Sequence, residues 1–271
     1  MTSGELSDID FEKISRLVYD LCGINLHEGK KALVKSRLNK RLREGRFRSL
    51  SDYLKYVTTK KGADELITMI DSLSTNLTSF FREEKHFLKL HEILPGMVRP
   101  RSRRGYRIWC AGCSTGEEPY SIAITLKEVL NGKSTDCKIL ATDISTNVLR
   151  TAMAGIYSEE RVKTIPQPLL RKYFQIGHGS WEGRYRVKKD LKDMVEFKRF
   201  NLMHTLSSDK VFDVIFCRNV MIYFDKETQG KVVNRFYDCL GENGWLFIGH
   251  SESLTGLTHS FKYIEPSIYR K

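Results

Sequence analysis

The stretch IWCAGCSTGEEPYSIA (residues 108–123) has the residue types and spacing to bind a charged small molecule. Strand-like apolar residues lead into Gly112 and Gly116, and a helical pattern begins at Glu117. Glycines at such a strand-to-helix turn let backbone approach a ligand closely at the strand's carboxyl end. A pyrophosphate would call for a GxGxxG turn with an unblocked helix N-terminus. Here Glu117 and Glu118 occupy that terminus. Two carboxylates suit a cation, and a sulfonium cofactor with a free ammonium group has that charge. The same acids also suit the helix dipole with no ligand at all, and this stretch alone leaves both readings open.

The segment ATDIS (141–145) puts Asp143 at the end of a second strand-like run. An acid placed there, roughly 20–30 residues after the glycine turn, hydrogen-bonds ribose hydroxyls in folds of this kind. Its alternative is to cap the following helix. Asn201 and Leu202 end a third run, and Arg218 and Asn219 end a fourth. These ends face one crevice by topology, so they are candidates to line an adenine or amino-acid moiety. Upstream, STNLTSFFRE (74–83) contains Asn76, Thr78 and Arg82, and VMIYF (220–224) contains Tyr223. Both also read as ordinary capping and packing, with Phe80 and Phe81 in a core. Cys110 and Cys113 form a C-x-x-C inside the strand-turn, with no second pair or histidine cluster to complete a metal site. The seven histidines lack metalloprotease spacing, so neither metal nor redox chemistry is expected.

These residues need elements to hold them. From residue 106, short β-rich runs at 107–111, 138–144, 194–202, 211–219, 245–250 and 262–269 alternate with helical runs at 117–130, 145–154 and 226–240. That alternation predicts a doubly wound α/β domain with a mostly parallel sheet. FQIGHGSWEGRYRVK (174–188) interrupts it with two β-like runs around a glycine-rich turn, an inserted antiparallel β-ribbon. The first ~75 residues read as helices. Ile9, Ile14, Leu17, Val18 and Leu21 recur at helical intervals, with Asp8 or Asp10 as cap and Gly23 as stop. A second helix spans 30–44 with Val34, Leu38 and Leu42 on one stripe. A third opens at Ser51, and a fourth spans 64–72. The stretch 96–107 reads as the linker between this module and the sheet.

A chain of 271 residues with net charge +12 is long enough to bury a substantial core. Its charge favours anionic partners. Residues 30–48 carry nine Lys/Arg against one acid, and residues 99–107 carry five arginines and no acid. No run approaches the ~18 apolar residues of a membrane span. The start MTSGELSDIDFEKI has no basic segment followed by an apolar run, so the expectation is an unexported, cytoplasmic protein. Six scattered cysteines read as reduced thiols.

Taken together, SLSTNLTSFFRE, AGCSTGEEPYSIA, ILATDIS, FNL, FDVIFCRNVMIYF and IGHSES resemble, in family order, the chemotaxis receptor methyltransferases called CheR. The resemblance covers essentially the whole chain. It implies a sheet of the S-adenosylmethionine methyltransferase type at 106–271 with a β-subdomain at about 173–191. It also implies a linker and helix at 76–105 and a basic, receptor-facing helical domain at 1–75. Asn76, Thr78, Arg82, Glu117, Asp143, Asn201, Leu202, Arg218 and Asn219 match the family's S-adenosylmethionine contacts. Arg82 and Tyr223 match residues near the methyl-transfer centre. The implied reaction esterifies glutamate side chains of chemoreceptors and leaves S-adenosylhomocysteine.

By the same resemblance, Lys31, Lys35, Arg37, Lys40, Arg41 and Arg43 suit an acidic coiled-coil receptor surface. Gly177, Gly179, Trp181 and Gly183 belong to the ribbon loop that in some members binds a receptor tail peptide as an added strand. Trp181 departs from that loop's pattern, and either packs in the peptide site or blocks it. The alternatives are a nucleic-acid methyltransferase and a non-catalytic S-adenosylmethionine-binding adaptor. The first is disfavoured because CRNVMIYF (217–224) stands where an Asn/Asp-Pro-Pro-aromatic loop would be expected.

Overall fold

The computed structural model describes residues 6–73, 76–97, 105–131, 136–206 and 211–271. Two compact units emerge, one of Met1–Thr75 with Tyr223–Thr228, the other of Asn76–Ile222 with Gln229–Lys271.

The first unit holds α1 (Asp8–Cys22), α2 (Lys31–Glu44), α3 (Leu50–Val57) and α4 (Ala63–Leu73). The Ser7 side chain caps α1 by accepting from the Asp10 amide, and Gly23 closes it in the left-handed conformation at φ 72. The expected cap at Asp8 or Asp10 is thus corrected. Both acids lie in the first turn, where they complement the dipole. The buried stripe is Phe11, Ile14, Val18 and Cys22, whereas Ile9 is 66% exposed. Ser49, not Ser51, caps α3 by accepting from the Asp52 amide. In both helices a serine just outside the first turn won the cap, because its short hydroxyl reaches back to the N3 amide.

Val34 and Leu38 bury one stripe of α2, and its cations divide in use. Arg41 donates through Nε and Nη2 to Glu65 of α4 at 3.0 and 2.6 Å, and Tyr53 of α3 donates to the same carboxylate at 2.8 Å. Arg37 reaches the Ser72 carbonyl at 2.6 Å, and Lys31 pairs with Asp8. These three brace the module internally. Lys40 and Arg43 are exposed.

The second unit is built on a seven-stranded sheet. It contains α5 (Glu84–Met97), β1 (Arg107–Ala111), α6 (Glu117–Leu130), β2 (Lys138–Asp143), α7 (Thr146–Ala154), β3 (Ile156–Ser158), α8 (Glu159–Val162) and α9 (Gln167–Tyr173). There follow β4 (Phe174–Ile176), β5 (Arg184–Val187), α10 (Lys189–Lys192), β6 (Val195–Arg199), β7 (Phe212–Cys217), α11 (Lys226–Cys239, whose first three residues group with the first unit), β8 (Leu240–Ile248), β9 (Lys262–Glu265) and β10 (Ile268–Arg270). The order is β6-β2-β1-β7-β8-β10-β9. Strands β6, β2, β1, β7 and β8 pair in parallel, and the two last strands are antiparallel. Central strands covered on both faces read as continuous apolar runs, and Ile108–Ala111 is buried throughout. Phe216 and Phe247 stack across β7 and β8 with centroids 4.5 Å apart.

Three expectations change here. The single final strand at 262–269 is a hairpin, β9 and β10, turning at Ser267 with φ 65. The two-run ribbon is a three-stranded sheet, β3-β5-β4. Its extra strand has only three residues, too short for an alternation signal. The linker expected at 96–107 begins later, because Gly96 and Met97 continue α5. Residues 98–104 lie outside the described residues, as does Ser74 of the STNLTSFFRE motif.

Arg41→Met is expected to destabilise the helical unit by about 1–3 kcal/mol, since it strips a half-buried carboxylate of its cation. Lys40→Met should stay within about 0.5 kcal/mol. Urea titration followed by circular dichroism checks both.

Candidate functional site

The carboxyl ends of β1, β2 and β7 bring together the glycine turn, Asp143 and Arg218. The amides of Gly112 and Cys113 both donate to the Thr142 carbonyl, at 2.8 and 2.9 Å, which fastens the turn to β2. Gly112 has φ +90, and a Cβ there would lie 2.3 Å from Val220 Cγ2. Gly116 has φ +97, and a Cβ there would lie 2.8 Å from the Tyr157 hydroxyl. Asp143 Oδ2 accepts from the Ser114 amide at 2.8 Å, and Oδ1 from the Ser145 amide at 2.9 Å. Ser145 itself caps α7, so Asp143 is not the helix cap. It stitches the end of β2 to the glycine turn. Ser114 Oγ donates to the Asn76 carbonyl at 3.0 Å, bringing the 76–83 segment to the same turn.

The two acids opening α6 are not a bare anionic pocket. Glu117 is fully buried and accepts from Thr115 Oγ1 at 2.7 Å and from Arg161 Nη1 at 2.5 Å. Glu118 accepts from Arg218 Nε at 2.6 Å and from the Cys110 thiol at 3.0 Å. Each carboxylate is therefore already matched by a cation of the chain itself, an arginine from a distant segment. Arg161 is a neighbour of the candidate site that the motifs did not reveal. Its side chain is 47% exposed, whereas Glu117 is fully buried.

Arg218 is the most connected candidate. Beyond Glu118, its Nη1 donates to the Arg82 carbonyl at 2.7 Å and to Glu83 Oε2 at 3.3 Å, and lies 3.1 Å from His86 Nδ1. Its guanidinium also stands over the rings of Phe87 and Phe216. It thereby holds the turn that presents Arg82. Arg82 Nη1 donates to the Leu77 carbonyl at 2.8 Å. Phe81, Glu83, Ser114 and Asn219 all have positive φ, between 47 and 59. Conformations this costly cluster where surroundings over-determine them.

Asn219 is fixed from behind by Glu252, whose carboxylate accepts from the amides of Asn219, Ile222 and Gly249 at 2.9, 3.2 and 2.6 Å. Burial raises the Glu252 carboxyl, opposed by these backbone donors. Glu252 lies in the IGHSES motif, the one signal that pointed to it. Asn201 Oδ1 accepts from the Met203 amide at 3.0 Å, and Arg235 donates to the Leu202 carbonyl at 2.8 Å. Thr78 is half-buried in the 76–83 segment. Tyr223 is not grouped with these residues but with the helical unit.

In the small sheet, the Gly177 amide donates to the Arg184 carbonyl at 2.8 Å, and Gly179 and Gly183 take φ 59 and 71. Trp181 is 59% exposed and lines a cavity of about 300 Å³ with Gly177, Ile176, His178, Arg184 and Arg186. Trp181 forms a wall of this cavity.

Among the described residues, Glu83, His86 and His250 bring possible ligand atoms within 4.8 Å of one another. Arg218 already supplies that group with a cation through its contacts to Glu83 and His86. Cys110 and Cys113 are buried thiols whose pKa is pushed well up, chiefly by burial, so neither is a thiolate. No described helix is long and apolar enough to cross a membrane.

Burial, together with the Arg218 guanidinium and His250, lowers His86 from 6.5 to about 3. Folded His86 stays neutral, while the unfolded chain's histidine gains a proton below its ordinary pKa. The unfolded state thus binds more protons between about 3 and 6.5, and stability falls as pH drops through that window. Between pH 7.5 and 5.5 the expected loss from this group is roughly 1 kcal/mol. His86→Asn, which keeps an acceptor, should flatten that slope in urea titrations at the two pH values.

Residues 76–270 match the family "CheR methyltransferase, SAM binding domain", and residues 9–74 match "CheR methyltransferase, all-alpha domain". The chain is 43% identical over 278 residues to the "Chemotaxis protein methyltransferase" of Borreliella burgdorferi, covering 100% of this chain and 95% of that one. It is 42% identical over 267 residues to the protein of the same name in Escherichia coli K12, covering 97% and 91%. It is 41% identical over 261 residues to "Chemotaxis protein methyltransferase 2" of Pseudomonas aeruginosa, covering 96% and 92%. With both domain types matched in order along one chain, this protein belongs to the CheR family of S-adenosylmethionine-dependent chemotaxis methyltransferases.

Proposed function

We propose that this chain transfers the methyl group of S-adenosylmethionine to glutamate side-chain carboxylates of chemoreceptors, giving methyl esters. The observation that carries the reading is the β1 turn, stitched by Asp143 and flanked by Glu117, in a chain that matches both family domains. The donor set fits the cofactor. Acids stand where an ammonium and a ribose need acceptors, and each carboxylate oxygen accepts up to two hydrogen bonds. Asp143 would hold the ribose, Glu117 the ammonium, and Asn76, Thr78, Asn201, Leu202, Arg218 and Asn219 would complete the site, with Arg218 acting mainly through the Arg82 turn.

When bound, the cofactor supplies a methyl carbon activated by its sulfonium. A glutamate substrate is already ionised near neutral pH, so the protein need not furnish a general base. The cofactor would supply its methyl group to one carboxylate oxygen, with the electron pair of the broken carbon–sulfur bond left on its own sulfur. No proton moves. The chain's task is orientation and exclusion of water. Arg82 and Tyr223 are the residues proposed to orient the substrate carboxylate. An arginine paired squarely with the nucleophile would hold its electrons. The Leu77 carbonyl commits one arm of the Arg82 fork, which supports an oblique approach.

The basic helix α2 is proposed to meet the acidic helical bundle of the receptor. Exposed Lys40 and Arg43, with half-buried Lys35, are better placed for this than Arg37 and Arg41, which brace the module. The cavity beside Trp181 is proposed to take a receptor tail peptide along the β4 edge. Arg184 and Arg186 favour an acidic segment.

Incubation with methyl-labelled cofactor and receptor cytoplasmic fragments should give base-labile label on glutamate, and Arg82→Ala should lower turnover roughly 10²-fold at saturating cofactor. Base-stable label would exclude a carboxyl ester. For the ribbon, Trp181→Ala should abolish binding of a receptor tail peptide in calorimetry while leaving methylation of tail-less fragments unchanged. Unaltered peptide binding would remove the ribbon from the docking surface.

A further inference from the structure

Tyr223–Thr228 groups with the helical unit, and several contacts inside that unit fix it. The Asn25 amide donates to the Tyr223 carbonyl at 2.8 Å. The Tyr19 hydroxyl of α1 donates to Asp225 Oδ2 at 2.7 Å and lies 3.3 Å from Thr228 Oγ1. Asp225 Oδ1 in turn accepts from the Thr228 amide at 2.8 Å. The tyrosine's carbonyl and the residues after it are thus tied to α1 and to the chain that follows that helix.

The ring itself is met by Lys30, whose ammonium stands 4.8 Å from the Tyr223 ring centroid. Lys30 ends the 3-10 turn Glu28–Lys30 and immediately precedes α2 at Lys31. Its backbone is therefore part of the start of the basic helix. Lys31 spends its charge on Asp8, whereas Lys30 makes no ion pair among the described residues. Burial lowers the Lys30 pKa. A cation over an aromatic face is attracted by the ring quadrupole, more strongly when partly removed from water.

We infer that Lys30 is a positioning residue for methyl transfer, setting the orientation of the Tyr223 ring and coupling it to the helix that meets the receptor. The inference rests on the proposed place of Tyr223 beside the reacting carboxylate. A lysine that serves only to attract an acidic receptor would act on encounter and affinity. One that orients Tyr223 acts on turnover once receptor is bound. Because Lys30 adjoins the first residue of α2, a shift of that helix on docking carries Lys30 with it.

The test is steady-state kinetics of the full chain with receptor cytoplasmic fragments. Lys30→Met, which keeps the side-chain length without the charge, should lower kcat roughly 5–30-fold with receptor KM unchanged. Lys30→Arg should restore kcat, since a guanidinium also binds a ring face. In a Tyr223→Leu background, Lys30→Met should have no further effect. Thermal unfolding and calorimetric S-adenosylhomocysteine binding, unchanged in Lys30→Met, would show that the protein is folded. A raised KM with normal kcat would overturn the proposal and make Lys30 a docking cation. Failure of Lys30→Arg to rescue, or an equal loss in the Tyr223→Leu background, would overturn it as well. Wild-type kcat in Tyr223→Leu removes the parent reading of Tyr223, and this inference with it. A crippled Tyr223→Leu beside an unaffected Lys30→Met removes the inference alone.

Discussion

An arginine side chain that is 2% exposed at the end of β7 must have its charge matched, since an unpaired buried cation is among the costliest features a fold can hold. Arg218 meets that demand through Glu118 on α6, Glu83 and the Arg82 carbonyl before α5, and the faces of Phe87 and Phe216. It thereby draws three remote segments to one point. The anchoring of the Arg82 turn and the pairing of Glu118 both follow from satisfying this one cation, which also adds to the burial that keeps His86 neutral. An arginine serves better than a lysine here because its planar fork donates in several fixed directions and also lies flat on aromatic rings.

The remaining order of the site comes from two carboxylates that accept backbone amides. Asp143 holds Ser114, and Glu252 holds Asn219. Both residues so held have positive φ. Such conformations persist only when several bonds oppose relaxation, and a carboxylate accepting two or three amides supplies that opposition. The candidate site is thus pre-formed by two carboxylates that hold backbone amides in place. Electrostatic preorganisation of this sort does not have to be rebuilt when a substrate arrives.

Much of the sheet was legible because central parallel strands are uniformly apolar and their crossover helices amphipathic. Strand β1 and helix α6 fall where the pattern predicted them. The errors were local or of scale. Ser7 and Ser49 replaced their neighbours as caps, and β3 had too few residues for a period-two signal. The hairpin of β9 and β10 read as one strand because its turn at Ser267 contains no glycine.

The residues of the candidate site stand out in the sequence by type, but their pairing does not. Chain composition and short motifs singled out Glu117, Glu118, Asp143 and Arg218, since strand ends and helix starts are local properties of the sequence. Their electrostatic pairing was not legible. Arg218 and Glu118 lie 100 residues apart, and the Arg82 carbonyl is 136 from Arg218. Arg161 gave no signal at all until folding placed it against Glu117. Tyr223 sits in a motif that follows a sheet strand, yet it groups with the helical unit, where Lys30 stands over its ring. Sequence alone therefore determined the elements and the candidate chemistry, because periodicity, capping and turn chemistry act over a few residues. Only the tertiary structure decided which charge neutralises which, because low-dielectric pairing depends on distances that the chain sets by folding.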